Sequence, residues 1–406
     1  MVAAAAPASA AARLVLAVVH DDGAAAAAAT PVRSTWAPAA APVTVAASEG
    51  ALAHLLARAD LAQASDVLLS SGQAPRLRVG GALVVLDEPA TDDAAILALL
   101  APVLDDARRA ALDRDGSADA ALAVATGDDA PRRYRVNLFR QAVGLAAALR
   151  PIRRDVPTLE QLRLPAELHQ LTRPSSGLVL VTGRAGSGKS TTLVALIEHL
   201  NRTADKHVIT LEDPIEYAYQ PRRCLIHQRE VGHQVDSFAA GLRAALRESP
   251  DVILVGELRD RETIAAALTA AETGHLVLAT MHCASAALAV DRIIDVFPDR
   301  QQQQVRLQLA MTLRAVLTQV LVPSLAPPLR VPAHELMVVT PAVAGQIRDG
   351  KAHLLPSLIQ TGRAAGMVPL ERTLAALVRA HQVSVEAARD AAFDPGQLDQ
   401  LLAGRA

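Results

Sequence analysis

Aromatic side chains are nearly missing: one Trp, three Tyr and four Phe serve 406 residues. Hydrophobic residues still make up 51% of the chain, much of it alanine, so helices are expected to pack through small side chains. No basic stretch with interleaved aromatics stands out, which argues against a DNA-translocating ring that tracks an unpaired strand. Charge of one sign is also absent. Lys and Arg number 40 against 42 Asp and Glu, and a net charge of −2 gives no global footprint for nucleic acid or anionic lipid. The two cysteines, Cys224 and Cys283, stand far apart; they cannot form a C-x-x-C zinc knuckle, and a disulfide is not expected. No apolar run approaches the ~20 residues that span a bilayer. The apolar stretch 14–19 lacks the basic flank of a signal peptide, and acidic residues follow it. The reading is a cytoplasmic protein that meets a membrane only through partners.

What is present centres on residues 177–192, GLVLVTGRAGSGKSTT. A short apolar run stops at Gly183, and Gly183, Gly186, Ser187, Gly188, Lys189 and Ser190 complete a G-x-x-x-x-G-K-[ST] phosphate loop. Its glycines let successive N–H groups turn inward around a polyphosphate. Lys189 can reach the β- and γ-phosphates, the Ser190 hydroxyl can hold Mg²⁺, and Thr191 continues the loop into a helix. Leu193, Leu196, Ile197 and Leu200 recur at helical spacing, so the helix dipole also favours the anion. These residues predict binding of a nucleoside triphosphate such as ATP, with Mg²⁺.

Composition divides the chain. Residues 1–48 are Ala/Pro-rich and are expected to be a disordered tail or an over-extended start. Residues 49–150 alternate short strands and helices, including one helix expected over 92–114, and read as a small α+β domain. A Pro- and charge-bearing linker follows at 151–160. Residues 161–392 alternate strands (178–181, 208–211, 252–255, 276–279) with helices, the pattern of an α/β fold with a parallel sheet. Beyond Pro298 the chain is expected to be mostly helical, broken between Pro323 and Pro332, with a tail at 393–406.

Three further stretches carry chemistry. Residues 210–216 (TLEDPIE) put acids at the C-terminal end of a strand, where open α/β sheets bind ligands. Glu212 there can orient the attacking water, act through the Mg²⁺ shell, or simply cap a helix. Residues 251–257 (DVILVGE) form a buried strand ending on Glu257, whose reach suits a water-activating base. His282 follows the strand 276–279 on the loop's side of the sheet and can sense the γ-phosphate. His275 lies at that strand's other end, about 20 Å away at ~3.3 Å per residue, which fits packing better than a shared zinc site. Arg135, Arg140 and Arg150 lie in the small domain, and an arginine arriving from another domain is a common partner for a γ-phosphate.

Together these segments resemble the secretion-ATPase superfamily, and within it the type IV pilus retraction ATPases (PilT/PilU type). The phosphate loop, the acidic box at 210–216, the strand-end segment DVILVGELRD at 251–260 and the histidine box at 273–285 match in order. The resemblance implies a PAS-like N-terminal domain, a RecA-like ATPase domain with a helical C-terminal part, and a homo-hexameric ring acting through an inner-membrane platform protein. It makes Glu257 the catalytic base with Glu212 assisting and His282 reading the γ-phosphate, and it raises Arg135 and Arg150 to phosphate contacts. The length and the lack of a four-cysteine zinc motif favour retraction over pilus assembly or type II secretion. Departures include Arg184 and Ala185 in the loop, Ser249 before Pro250, Cys283 beside His282, and a missing His after Leu68. They leave open an accessory or regulatory ATP-binding member of the same ring.

Overall fold

The computed structural model describes residues 43–46, 50–62, 64–79, 82–126, 129–326 and 329–404. Most of the expected N-terminal tail lies outside them, but the β-branched run Val43–Ala46 is a strand, β1, within that stretch. There follow α1 (Ala51–Leu61), β2 (Asp66–Ser70), β3 (Arg76–Val79), β4 (Ala82–Val85), α2 (Asp93–Leu100), α3 (Asp106–Asp115), β5 (Ser117–Thr126), β6 (Asp129–Gln141) and β7 (Gly144–Pro151). They build a seven-stranded sheet of order β1-β5-β6-β7-β2-β3-β4, antiparallel except for the β1–β5 pair. The single helix expected over 92–114 is two. Pro102 lies in a 3₁₀ turn after α2, and Asp105 restarts the chain by accepting the Arg108 N–H at 2.8 Å as the cap of α3.

The second sheet is built from β8 (Gly177–Thr182), α4 (Lys189–Thr203), β9 (His207–Glu212), β10 (Leu225–Glu230), α5 (Phe238–Ala245), β11 (Val252–Val255), α6 (Arg261–Glu272), β12 (Leu276–Met281), α7 (Ala286–Asp295), α8 (Asp299–Thr312), β13 (Leu313–Pro323) and β14 (Arg330–Val338). Its order is β10-β9-β11-β12-β8-β13-β14; the first six strands run parallel and β14 closes the edge antiparallel. The molecule is thus an α/β protein with two mixed sheets. Along β8 the side chains part to opposite faces. Leu178 and Leu180 enter a core with α5, α6 and α7, while Val179 and Val181 join Leu193, Leu196 and Leu200 of α4. Strands buried on both faces need continuous apolar runs rather than alternation, which is what 178–181 and 276–279 supply. The helices lean on alanine, as the composition suggests: α6 buries Ala267, Ala270 and Ala271 against the sheet.

The region after Pro298 departs from expectation, since β13 and β14 replace helix there. Pro332 sits within β14, which is tolerable because an edge strand can lack one ladder donor. The last helices are α9 (Pro341–Arg348), α10 (Leu355–Thr361), α11 (Leu370–Arg379), α12 (Val385–Ala391) and α13 (Pro395–Leu402). The expected tail at 393–406 therefore holds a capped helix: Asp394 accepts the Gln397 N–H, Pro395 starts the turn, and Leu398 is fully buried against the C-terminal core. Among the described residues no helix is long and apolar enough to cross a membrane.

Candidate active site

The phosphate loop leaves β8 at Thr182 and enters α4 at Lys189. Gly183 and Gly188 have φ of 143° and 88°, and a Cβ on Gly183 would collide with the main-chain oxygen of Gln319. Only glycine serves there. Gln319, on the adjacent strand β13, holds the loop from behind. Its Nε2 donates to the Ser187 carbonyl at 2.8 Å, and its Oε1 accepts from Thr192 Oγ1 at 2.7 Å. Gly188 caps α4 without a side-chain hydrogen bond, so the first N–H groups of the helix stay open to an anion.

Lys189 is 6% exposed and folds back on the loop, its Nζ donating to the carbonyls of Gly183 and Arg184, each at 3.0 Å. Burial lowers its pKa, opposed by the negative charge of Glu257. The same ammonium lies 3.3 Å from His282 Nδ1, and His282 Nε2 lies 3.3 Å from Glu257 Oε1. An ammonium can only donate, so His282 accepts at Nδ1 and carries its proton at Nε2, pointing at the carboxylate. Lys189, His282 and Glu257 form one connected chain. Glu257 is further fixed by Arg259 Nε at 2.8 Å. Its neighbours anchor the turn: the Gly256 N–H reaches the Leu211 carbonyl at 2.7 Å and the Leu258 N–H reaches Thr280 O at 2.9 Å.

Glu212 ends β9 and is 9% exposed; it accepts from Thr210 Oγ1 at 2.6 Å and Gln228 Nε2 at 3.1 Å. Desolvation outweighs those two hydrogen bonds and pushes its pKa up to about 7. A cavity of about 500 Å³ lies over the loop, lined among others by Gly186, Gly188, Lys189, Ser190, Thr191, Glu212, Glu257, Arg259, His282 and Arg330. Gly183 and Ser187 lie behind it instead, facing a second cavity toward β13.

The two arginines expected at the phosphates are placed elsewhere. Arg135 Nη2 meets Glu230 Oε1 at 3.3 Å, where Glu230 also accepts the Ile215 N–H at 3.0 Å. Arg150 binds Asp66 Oδ1 with Nε and Nη2, at 3.0 and 2.9 Å, within the first sheet. Neither lines the cavity in this conformation. Both acids are buried, Asp66 in the first sheet and Glu230 at the end of β10 in the second, and an arginine beside each spares it an uncompensated charge. The arginines that do line it are Arg259 and Arg330. Arg259 lies two residues after Glu257 in a segment already singled out by sequence; nothing in the sequence points to Arg330 or to Gln319. His275 lies at the far end of β12 from the cavity, its Nδ1 3.1 Å from the Ala270 carbonyl.

The family profile described as type II/IV secretion system protein matches residues 50–390. The chain belongs to that family. The uncharacterized protein YggR of Escherichia coli K12 is 49% identical over 311 residues, covering 76% of this chain and 92% of YggR. The type IV pilus retraction ATPase PilT of Pseudomonas aeruginosa is 42% identical over 344 residues, covering 85% of this chain and 98% of PilT. Among solved structures, the pilus retraction motor PilT with bound ADP superposes with a TM-score of 0.79 at 38% identity, covering 87% of this chain and 99% of PilT. The chain is thus a secretion ATPase family member of PilT/PilU type, with a cavity over its phosphate loop.

Proposed function

We propose that this chain is an ATP-hydrolysing motor subunit that powers retraction of a type IV pilus. The observation that carries the reading is the Lys189–His282–Glu257 chain at the mouth of a complete phosphate loop, in a chain similar along nearly its whole length to a retraction ATPase. We further assign the second sheet to a RecA-like ATPase domain and the first to a PAS-like domain, six copies forming a cytoplasmic ring that works against a platform protein at the inner membrane.

In this reading the γ-phosphate of ATP draws Lys189 from the carbonyls it now holds. Glu257, fixed by Arg259, takes the proton of the attacking water, a role worth roughly 10²–10⁴ in rate. His282 lies between the two, so a phosphate that displaces Lys189 also changes what Glu257 touches. Ser190 Oγ lines the cavity and has no hydrogen-bond partner among the described residues, which fits a Mg²⁺ ligand. That ion would offset charge on the phosphate oxygens. Arg135 and Arg150 would reach the phosphates only after the two sheets close on each other, with the segment following Pro151 as the hinge.

Deletion of the gene tests the function. Piliated cells that cannot twitch, restored by the parent chain but not by Glu257→Gln, are expected. Bald cells would instead mark a pilus-assembly or type II secretion role. Full twitching after deletion would leave an accessory ring member as the better reading.

A further inference from the structure

A cavity of about 710 Å³ shares no lining residue with the nucleotide site. Its floor is the face of the second sheet near its β14 edge, including Val179, Leu336 and Val338. Side chains two apart on a strand share a face, so His334 belongs with Leu336 and Val338. It lines the cavity and is only 6% exposed. Its main-chain groups are engaged, the N–H donating to Thr373 Oγ1 at 3.1 Å and the carbonyl accepting from that hydroxyl at 2.9 Å. Its imidazole makes no hydrogen bond among the described residues. Burial lowers its pKa to about 4, so the ring is neutral near pH 7 and offers one donor and one acceptor.

The ring nitrogens are not sealed from the cavity, so a molecule there can supply the partner that the chain does not. The charges around the cavity define the sign of that molecule. Arg363 and Arg372 line it and have no carboxylate partner among the described residues, whereas Arg314 is tied to the carbonyls of Ser176 and Met311 at 3.0 and 2.8 Å. Glu167 is the one acid among the lining residues. Guanidiniums outnumber carboxylates there by three to one, over walls that are mostly aliphatic.

We propose that this cavity binds a small amphipathic anion, an aliphatic molecule with a carboxylate head. The aliphatic body lies on Val179, Leu336 and Val338, Arg363 and Arg372 balance the charge, and the His334 imidazole supplies a directional hydrogen bond. The size suits a small molecule, within the roughly 300–1,000 Å³ of ordinary ligand sites.

Titration calorimetry of the full chain with octanoate, octanol and octyltrimethylammonium tests this. Octanoate is expected to bind one saturable site, and the alcohol and the cation about tenfold or more weakly, as loss of a charge-assisted contact implies. Arg363→Ala with Arg372→Ala is expected to weaken octanoate by a similar factor, and His334→Phe to weaken it by removing the ring nitrogens while keeping an aromatic ring. Val338→Trp, which sets an indole on the surface that the aliphatic body would cover, is expected to weaken octanoate binding at least tenfold while ATP binding, measured on the same preparation, persists. No saturable binding would overturn the proposal, and so would equal binding of all three probes or octanoate affinity untouched by Val338→Trp. Binding to the dissociated chain that vanishes on oligomerisation would also overturn it, because a second copy then fills the cavity.

Discussion

Gln319 and Thr192 are joined across the back of the phosphate loop by a buried 2.7 Å hydrogen bond, and the same amide donates to Ser187. Strand β13 and helix α4 are joined to the loop by one side chain. Gln319→Leu removes both contacts at about the same volume and leaves the Ser187 carbonyl and Thr192 hydroxyl without that partner, a cost of about 2 kcal/mol. The expected result is ATP binding weakened about tenfold or more, with a smaller loss in Thr192→Val. A double-mutant cycle on ATP affinity should show coupling between the two sites. Additive losses would mean that the loop is held by other contacts.

The proposed role of Glu257 is to act on water rather than to bind nucleotide. Glu257→Gln keeps the size and the Arg259 and His282 neighbours but removes the base. Hydrolysis should fall by roughly 10²–10⁴, while the affinity for ATP stays within a fewfold of the parent. His282→Asn should lower the rate less and also change the affinity, because it breaks the link to Lys189. Steady-state hydrolysis alongside binding of a non-hydrolysable ATP analogue separates the two effects. A Glu257→Gln protein as active as its parent refutes the assignment.

Arg135 and Glu230 test whether the arginine is parked. Their side chains are 36% and 10% exposed, so the pair adds at most a few tenths to about 1 kcal/mol to stability. Glu230 pairs in register with Glu212 on the neighbouring strand, about 5 Å away, so the acid that Arg135 holds stands beside the acid that lines the cavity over the phosphate loop. Arg135→Ala should hardly change the melting temperature yet lower hydrolysis by about tenfold or more, as loss of a charge contact to a phosphate does. An Arg135→Ala protein with unchanged turnover would confine the residue to the Glu230 contact seen here.

The parts legible in the sequence were those with their own local chemistry. The phosphate loop, the four central strands and the acids at their ends follow from glycine spacing and uninterrupted apolar runs. Strands β13 and β14 did not, because prolines at 323 and 332 read as breaks, and only the edge position in the assembled sheet makes Pro332 harmless. The alanine-rich β5 carries helix propensity that its pairing with β6 overrides. Gln319 was invisible for a related reason: its role depends on β13 lying beside β8, a neighbour relation that residue spacing does not encode. Arg135 and Arg150 are expected from sequence at the phosphates; the partners they have here, Glu230 and Asp66, are 95 and 84 residues away in sequence, which residue spacing does not reveal.

Glu212 makes stability depend on pH in a defined direction. Its carboxyl is raised to about 7 by burial, above the ordinary value of 4.5. The protonated form is therefore favoured by folding. The stabilisation is complete below about pH 4.5 and is lost as pH rises through 7, by up to about 3 kcal/mol from the linkage relation. Glu335, also raised to about 7, acts in the same window, while His334, lowered to about 4, destabilises as pH falls from 6.5 toward 4. Urea unfolding at pH 5, 6, 7 and 8 should show the parent losing stability between pH 5 and 8. Glu212→Gln, which cannot ionise yet keeps a hydrogen-bonding oxygen for Thr210, should lose less over that range, and Glu335→Gln should do the same independently. If Glu212 also steers the water, hydrolysis by the parent should rise through pH 7 as the carboxylate forms, and that rise should be missing from Glu212→Gln. A Glu212→Gln protein with the parent's full pH slope would place the titrating group elsewhere, with Glu335 the next to examine.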